Sequence, residues 1–294
     1  MNRRFFWDRF FEKALYGAAW VSVMTLAGIF LLLLYNGAQT FISIAPGDFF
    51  SFSRWNPAAY DQPTFGIGAM LVSTLLVTAG AMCITIPLGI GTAAFLSEMA
   101  SPRLRNVLKP AVEMLAAVPS VVIGFLGIVL VAPALAAAFD LPNGLNALNG
   151  AILLGIMALP TMVSVTEDAI HAVPGHYKEA SYALGANRWE TLVHVTLPAC
   201  KSGILAATML ALGRALGETM TVLMATGNAT SLPHGIFDPV RTITATVAIE
   251  MGEVPFDTPH FFSLFACALV LFLITLAVNI LAERMAARFR KKGQ

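Results

Sequence analysis

The chain has 294 residues, 57% of them Ala, Val, Ile, Leu, Met, Phe, Trp, Tyr or Cys and only 12% charged, with a net charge of +1. Soluble domains carry about 25% charged residues, so half that share, with a mean hydropathy of +0.74, excludes an ordinary soluble domain and indicates an integral membrane protein. Disorder, a collagen-like repeat, a secreted disulfide scaffold and a basic field for nucleic acid are excluded by the same figures.

Five stretches contain no Asp, Glu, Lys or Arg: 14–47, 62–97, 114–139, 141–166 and 258–282. A helical crossing needs about 20 mostly apolar residues. Helices are therefore placed near 14–35, 66–96, 110–136, 148–168 and 258–282, with a sixth across 202–226, which Arg214 and Glu218 interrupt. The first apolar run is longer than a signal-peptide core and has no clean small-x-small cleavage site, so it reads as a retained anchor. With six spans and both termini in the cytoplasm, 15 of the 18 Lys and Arg residues fall on the inner face, at 3–13, 103–109, 178–201 and 284–292. That distribution satisfies the positive-inside rule. Arg54 and Arg241 fall on the outer face. The outer segments are 36–65, a turn at 137–147 and 227–257, the last long enough for short helices of its own. The expected division is an N-terminal tail, first span and outer segment over 1–65, a core over 66–284 with a cytoplasmic loop at 172–200, and a basic tail at 285–294.

The most informative loop is 172–201, AVPGHYKEASYALGANRWETLVHVTLPACK. Pro174 suits the start of a short helix and Gly185 a left-handed cap at its end. Asn187 with Glu190 three residues on forms a capping box for a second helix, and Pro198 marks the hinge into span five. By periodicity alone this is either an ordinary interfacial loop or a compact elbow facing the cytoplasm.

The letters favour the elbow. Glu179-Ala180-Ser181, three residues, Gly185, nine residues, then Val195-Thr196-Leu197-Pro198 resembles the E-A-A, G, I-x-L-P pattern of importer-type ABC permeases, with Ser181 for the usual Ala and Val195 for the usual Ile. The stretch Glu113-Met114-Leu115-Ala116-Ala117-Val118-Pro119-Ser120-Val121-Val122-Ile123-Gly124-Phe125 is similar to one in phosphate-transporter permeases, departing at Ala117 (usually Gly) and Ile123 (usually Tyr). Gly213-Arg214-Ala215-Leu216-Gly217-Glu218-Thr219-Met220-Thr221-Val222-Leu223-Met224 resembles the corresponding run of the C-type permease of the phosphate-specific transporter. The resemblance covers about 66–284. It implies an all-helical, six-span permease of the MetI-like fold in the cytoplasmic (inner) membrane. It also implies a second, A-type permease, a pair of cytoplasmic ATP-binding subunits, an extracytoplasmic phosphate-binding protein, and phosphate as the cargo. Glu179, Ala180, Gly185, Leu197 and Pro198 would then engage the ATPase.

Arg214 and Glu218 are the ionisable residues well inside a span, and an Arg at a helix centre costs about 2.5–3.5 kcal/mol on insertion scales. In a continuous helix their i, i+4 spacing puts both on one face. They form either a structural ion pair or an anion site, where the guanidinium fork matches phosphate oxygens. Thr219 beside them is either a hydroxyl donor to the path or bonded back to its own helix. Gly213 and Gly217 would pack that face against a neighbour. Pro119-Ser120 makes either a simple kink or a pore-lining backbone with the Ser120 hydroxyl available. Glu113 is expected to pair with Lys109 at the cytoplasmic end, and Glu167 and Asp168 to be solvated.

Absences complete the reading. No G-x-x-x-x-G-K followed by Ser or Thr is present to cradle ATP phosphates, and no H-E-x-x-H or G-x-S-x-G occurs. Cys83, Cys200 and Cys267 and the five His show no ligand spacing, so neither a metal nor a cofactor is expected. The chain reads as a non-enzymatic subunit with ATP hydrolysis elsewhere. The alternatives are a permease for another oxyanion or an ion-coupled secondary transporter.

Overall fold

A computed structural model describes residues 2–292, with side chains over 11–285. Arg3, Arg4 and Arg9 and nearly all of the basic tail at 285–294 therefore lie outside the described side chains. In chain order the elements are α1 (Asn2–Ser43), α2 (Pro46–Phe49), a hairpin of β1 (Trp55–Asn56) and β2 (Thr64–Phe65), α3 (Gly68–Ala94), α4 (Pro102–Ala117), α5 (Ser120–Leu126), α6 (Ala132–Phe139) and α7 (Ala147–His171). Then follow α8 (Gly175–Ala183), α9 (Arg188–Thr191), α10 (Leu197–Ala199), α11 (Lys201–Gly217), α12 (Met220–Ala225), α13 (Ile243–Glu250) and α14 (Pro259–Lys292). Among the described residues five helical spans are long and apolar enough to cross a membrane, and a sixth if the pair Arg188–Ala199 and Lys201–Gly217, bent by 71°, counts as one. Helices are the expected answer in lipid, because each satisfies its own backbone polar groups.

The core is the α3–α7–α11 contact. Val77, Ala81 and Met82 of α3 meet Leu154, Ala158 and Met162 of α7, with Ala207, Ala211 and Ala215 of α11 closing the cluster. Small side chains let these backbones approach closely, the dominant packing device where lipid removes the hydrophobic drive between helices. The α1 helix joins through its last third, where Gly37 lies against Ala266 and Leu269 of α14. Its earlier residues, such as Leu15, Trp20 and Leu26, are exposed and face lipid.

Three π-helical turns interrupt the helices, at Phe95–Met99, Gly127–Val131 and Leu192–Thr196. Each is followed within three residues by a proline, Pro102, Pro133 or Pro198. Proline lacks an N–H and clashes with the carbonyl four residues before it, and a π turn relieves that clash by one extra residue.

The third span differs from expectation. Its helix does not run from 110. Val118 (ψ 126°) and Pro119 (ψ 137°) are extended, so α4 ends at Ala117 and the crossing proper is Ser120–Phe139. The cause is local, because a residue before proline is pushed out of the α region. The α4 helix carries no fully buried residue, although Leu108 and Val112 rest on the Val163–Ile170 surface of α7.

What ties α4 to α7 overturns two expectations. Glu167 is not solvated: it is 1% exposed and accepts from Arg105 Nη2 at 2.7 Å and Lys109 Nζ at 3.1 Å. Lys109 therefore pairs with Glu167 and not with Glu113, which is exposed. The Glu167 side chain leaves α7 on the α4-facing side, where two cations repay its desolvation, whereas Asp168, one residue on, is exposed as expected.

Candidate translocation path and coupling elbow

The stretch 202–226 is two helices and not one. The α11 helix ends at Gly217, Glu218 is extended (φ −70°, ψ 132°), and α12 starts at Met220. This break corrects the i, i+4 relation: Arg214 lies in the last turn of α11, Glu218 lies outside it, and no ion pair joins them among the described residues. Arg214 Nη1 instead donates to Thr161 Oγ1 of α7 at 3.2 Å. Glu218 Oε1 accepts from the Thr221 amide at 3.4 Å, and its carbonyl accepts from Thr244 Oγ1 of α13 at 2.9 Å. Thr219 Oγ1 donates to the Gly217 carbonyl at 3.4 Å, the local alternative of its two readings. Gly213 faces Asn279 of α14, while Gly217 meets nothing within 4 Å in this chain, so the glycine pair does not pack as a unit against one neighbour.

The break at 118–119 and the break at 218–219 lie together. Thr221 Oγ1 sits 3.1 Å from the Ser120 carbonyl and 2.9 Å from Met157 Sδ. A Cβ on Gly124 would fall 2.9 Å from Met224 Sδ and 3.3 Å from the Thr221 Cα, so α5 and α12 touch closely only because Gly124 has none. Met157 and Thr161 lie near the middle of α7, which places this constellation near mid-membrane. Ser120, Glu218 and Thr219 are half-buried and Arg214 is exposed, all on the open side of the chain and away from its core. Breaks of this kind are tolerated in a membrane where the backbone is buried in protein or lines a polar cavity.

The elbow matches its reading. Gly185 has φ +88° with nothing within 4 Å of a Cβ position. Its N–H donates to the Tyr182 carbonyl, and the Ala186 N–H to the Ser181 carbonyl, closing α8. Asn187 Oδ1 accepts from the Glu190 amide at 2.9 Å and Glu190 Oε2 from the Asn187 amide at 2.8 Å, a complete capping box. The hydroxyls of Ser181 and Thr191 meet at 2.9 Å under the turn, and Lys178 pairs with Glu98 at the end of the α3 span. The turn into α11 comes at Cys200, two residues past Pro198, with Leu197 packed inward and Pro198 exposed. Glu179, Ala180 and Gly185 are exposed beside Tyr177, Tyr182, Leu184 (90% exposed) and Trp189 (59%). Such an apolar, aromatic cap on a rigid turn marks an interaction surface.

Residues 85–291 match the family model described as the binding-protein-dependent transport system inner membrane component. The chain belongs to that family. Similar proteins include the phosphate transport system permease protein PstC of Mesorhizobium japonicum, 36% identical over 92% of this chain and 88% of that one. The PstC of Pasteurella multocida is 34% identical (90% and 89% covered), and the probable ABC transporter permease YqgH of Bacillus subtilis 33% (92% and 88%). Among solved structures, a bacterial alginate ABC transporter in complex with its alginate-bound periplasmic protein superimposes with a TM-score of 0.64 at 15% identity, covering 97% of this chain and 98% of that one. The inward-facing MetNI methionine transporter gives 0.60 at 13%, covering 76% and 97%. The fold is thus the importer-type permease fold, and the chain is an inner-membrane component without catalytic activity, ATP hydrolysis residing on a separate subunit.

Sequence reasoning on this permease found Ser120, Arg214, Glu218 and Thr219 but missed Thr161, Thr221 and Thr244, which hold them in place. Thr161 follows Pro160 inside an apolar span, and nothing in the sequence ties it to a residue 53 positions away. Thr221 had a weak signal, as a hydroxyl two residues past Thr219 in a quoted motif.

Proposed function

We propose that this permease translocates inorganic phosphate inward across the cytoplasmic membrane, paired with a second permease of the A type and coupled to two ATP-binding subunits and an extracytoplasmic phosphate-binding protein. The names of its relatives support the cargo. The observation that carries the path is the position of Arg214: a guanidinium near mid-membrane, anchored on Thr161 by one nitrogen and exposed on the open side of the chain. Arg within a span faces a bundle interior or a water-filled cavity. Since this chain's own bundle lies on the other side, the cavity is formed with the second permease.

Phosphate released at the outer end passes Arg214, whose remaining N–H groups form a planar fork for two phosphate oxygens. The positive end of the α5–α6 span, beginning at Ser120, adds favourable potential for an anion. Glu218 accepts the acid proton of hydrogen phosphate, which sulfate lacks at neutral pH, and so favours the correct oxyanion. ATP binding closes the ATPase pair, the elbow at Glu179–Pro198 carries that motion into α11, and the break at 218–219 lets the path open outward. Hydrolysis resets the inward state.

The test is phosphate uptake in membranes where assembly with the partner subunits has been verified. Arg214→Gln retains an N–H for Thr161 but loses the charge. A hydrogen bond to a charged group is worth about 1.5–3 kcal/mol, so uptake should fall by about ten- to a hundredfold. Arg214→Lys should fall less, keeping charge without the fork, and Glu218→Gln should weaken discrimination against sulfate. Wild-type uptake by an assembled Arg214→Gln complex would place the path elsewhere.

A further inference from the structure

At the end of the molecule away from the elbow, a cleft of about 540 Å³ is lined by residues of the β1 segment, the 228–242 segment, α13 and the start of α14. Its two cations are Arg54 and Arg241, which lie 187 positions apart in sequence. Glu250 forms its floor and is fully engaged: Trp55 Nε1 donates to it at 2.9 Å, Arg241 Nη1 at 2.9 Å, and His260 Nε2 lies 2.8 Å away. Arg54 is different. Its Nε donates to Thr230 Oγ1 at 3.3 Å, and the residue is exposed at the mouth. The opposite rim carries Glu253, so the charge is directional, cationic on the Arg54 side only.

We infer that this cleft receives an acidic side chain of the extracytoplasmic binding protein, with Arg54 as its counter-charge, and that α13 carries the docking to the translocation path. The inference rests on the phosphate-permease reading above. Three features favour a protein over a free ion. The cleft is far larger than one oxyanion, and the floor carboxylate shares its donors with no further anion. Its margins end in large exposed aromatics, Tyr60 (102% exposed) two residues past the lining Ala58 and Phe256 (81%) next to the lining Pro255. Aromatic and Arg side chains are the usual anchors of protein interfaces. The link inward is short. Glu250 ends α13 in the cleft, and Thr244, in the first turn of the same eight-residue helix, donates to the Glu218 carbonyl at the mid-membrane break. A rigid rod so placed moves the break when its outer end is displaced.

The experiment uses the assembled complex in lipid nanodiscs and titrates phosphate-loaded binding protein while reading both its binding and ATP turnover. Arg54→Glu should raise the half-stimulating concentration at least tenfold and remove most of its dependence on salt, since exposed charge pairs steer association and are screened by ions. Arg54→Gln, which keeps a donor for Thr230, should shift it in the same direction if the charge reversal fails to assemble. Thr244→Val should leave binding at the wild-type concentration and lower the maximal stimulation. A half-stimulating concentration within twofold of wild type for assembled Arg54→Gln overturns the inference. So does competition by free phosphate at levels that leave the binding protein saturated, which would make the cleft an ion site. If phosphate-loaded binding protein neither binds nor stimulates the wild-type complex, the phosphate-permease reading itself falls, and the inference with it.

Discussion

The Glu167 cluster gives a stability prediction with an internal control. Glu167 is 1% exposed, whereas Arg105 and Lys109 are 35% and 38% exposed. The consequences of deleting each side are therefore unequal. Glu167→Gln frees two cations that already reach water, so only modest attraction is lost, on the scale of partly exposed pairs, about 1 kcal/mol or less each. Arg105→Ala with Lys109→Ala strands a carboxylate that cannot reach water, and breaking a buried pair from that side costs about 3–5 kcal/mol. At about 2–4 °C of melting temperature per kcal/mol for a chain of this size class, the double variant should melt roughly 6–20 °C below wild type and Glu167→Gln only a few degrees below. Adding Glu167→Gln to the double variant should recover most of the loss. The assay is thermal unfolding of the purified complex in detergent, with hydrogen exchange of 102–117 as the local readout, because Leu108 and Val112 alone would then hold α4. Equal melting temperatures for the double and triple variants would refute the argument from burial.

Three further outcomes are expected. Gly185→Val places a β-branched residue at φ +88°, costing about 1–2 kcal/mol or more of backbone strain; the protein should reach the membrane but retain less ATPase on co-purification and lose uptake, while Gly185→Asn should be milder. Single cysteines at Asn143 and Ser101, at opposite ends of the bundle and both exposed, should differ in labelling, Asn143→Cys reacting with an impermeant thiol reagent from outside and Ser101→Cys only after permeabilisation. Gly124→Leu drives a side chain into Met224 and the Thr221 backbone; overpacking costs about 1–3 kcal/mol, and uptake should fall further than the melting temperature alone would suggest, because the two breaks are pushed apart.

Legibility in the sequence followed the range of the interaction. The elbow was readable in detail because a left-handed Gly185 and the Asn187–Glu190 box are each complete within four residues. The spans were readable because exclusion of charge from lipid acts on every residue in turn. The break at Pro119 had its local cause in view, though its depth did not follow from the proline alone. The break at Glu218 had no such cause. Gly217-Glu218-Thr219 contains no proline, and the helix stops there because Thr221 and Thr244 take up the freed groups from outside. Counting i, i+4 through it assumed a continuity that only tertiary contacts decide. The Glu167 partners lie 62 and 58 positions upstream, and the outer-face pair Arg54 and Arg241 are brought together by a hairpin and a helix that no periodicity signalled.

These long-range contacts share one arrangement. The packed core of α3, α7, α11 and α14 occupies one side of the chain. Both backbone breaks, Arg214, the unburied face of α4 and the aromatic cap of the elbow lie outside it. In a bilayer the cost of leaving that side to lipid is specific: an Arg near mid-membrane is unfavourable by about 2.5–3.5 kcal/mol even on insertion scales, and broken backbone cannot face hydrocarbon at all. The apolar helix surfaces elsewhere on the chain carry no such penalty. The side that lipid tolerates least is therefore the side a second permease must cover, and the same residues that make the chain incomplete alone line the gap between the two. Assembly and translocation are demands on one surface, which is why Arg214 is held by a single threonine: it is fixed enough to face the gap and has nitrogens left for an anion.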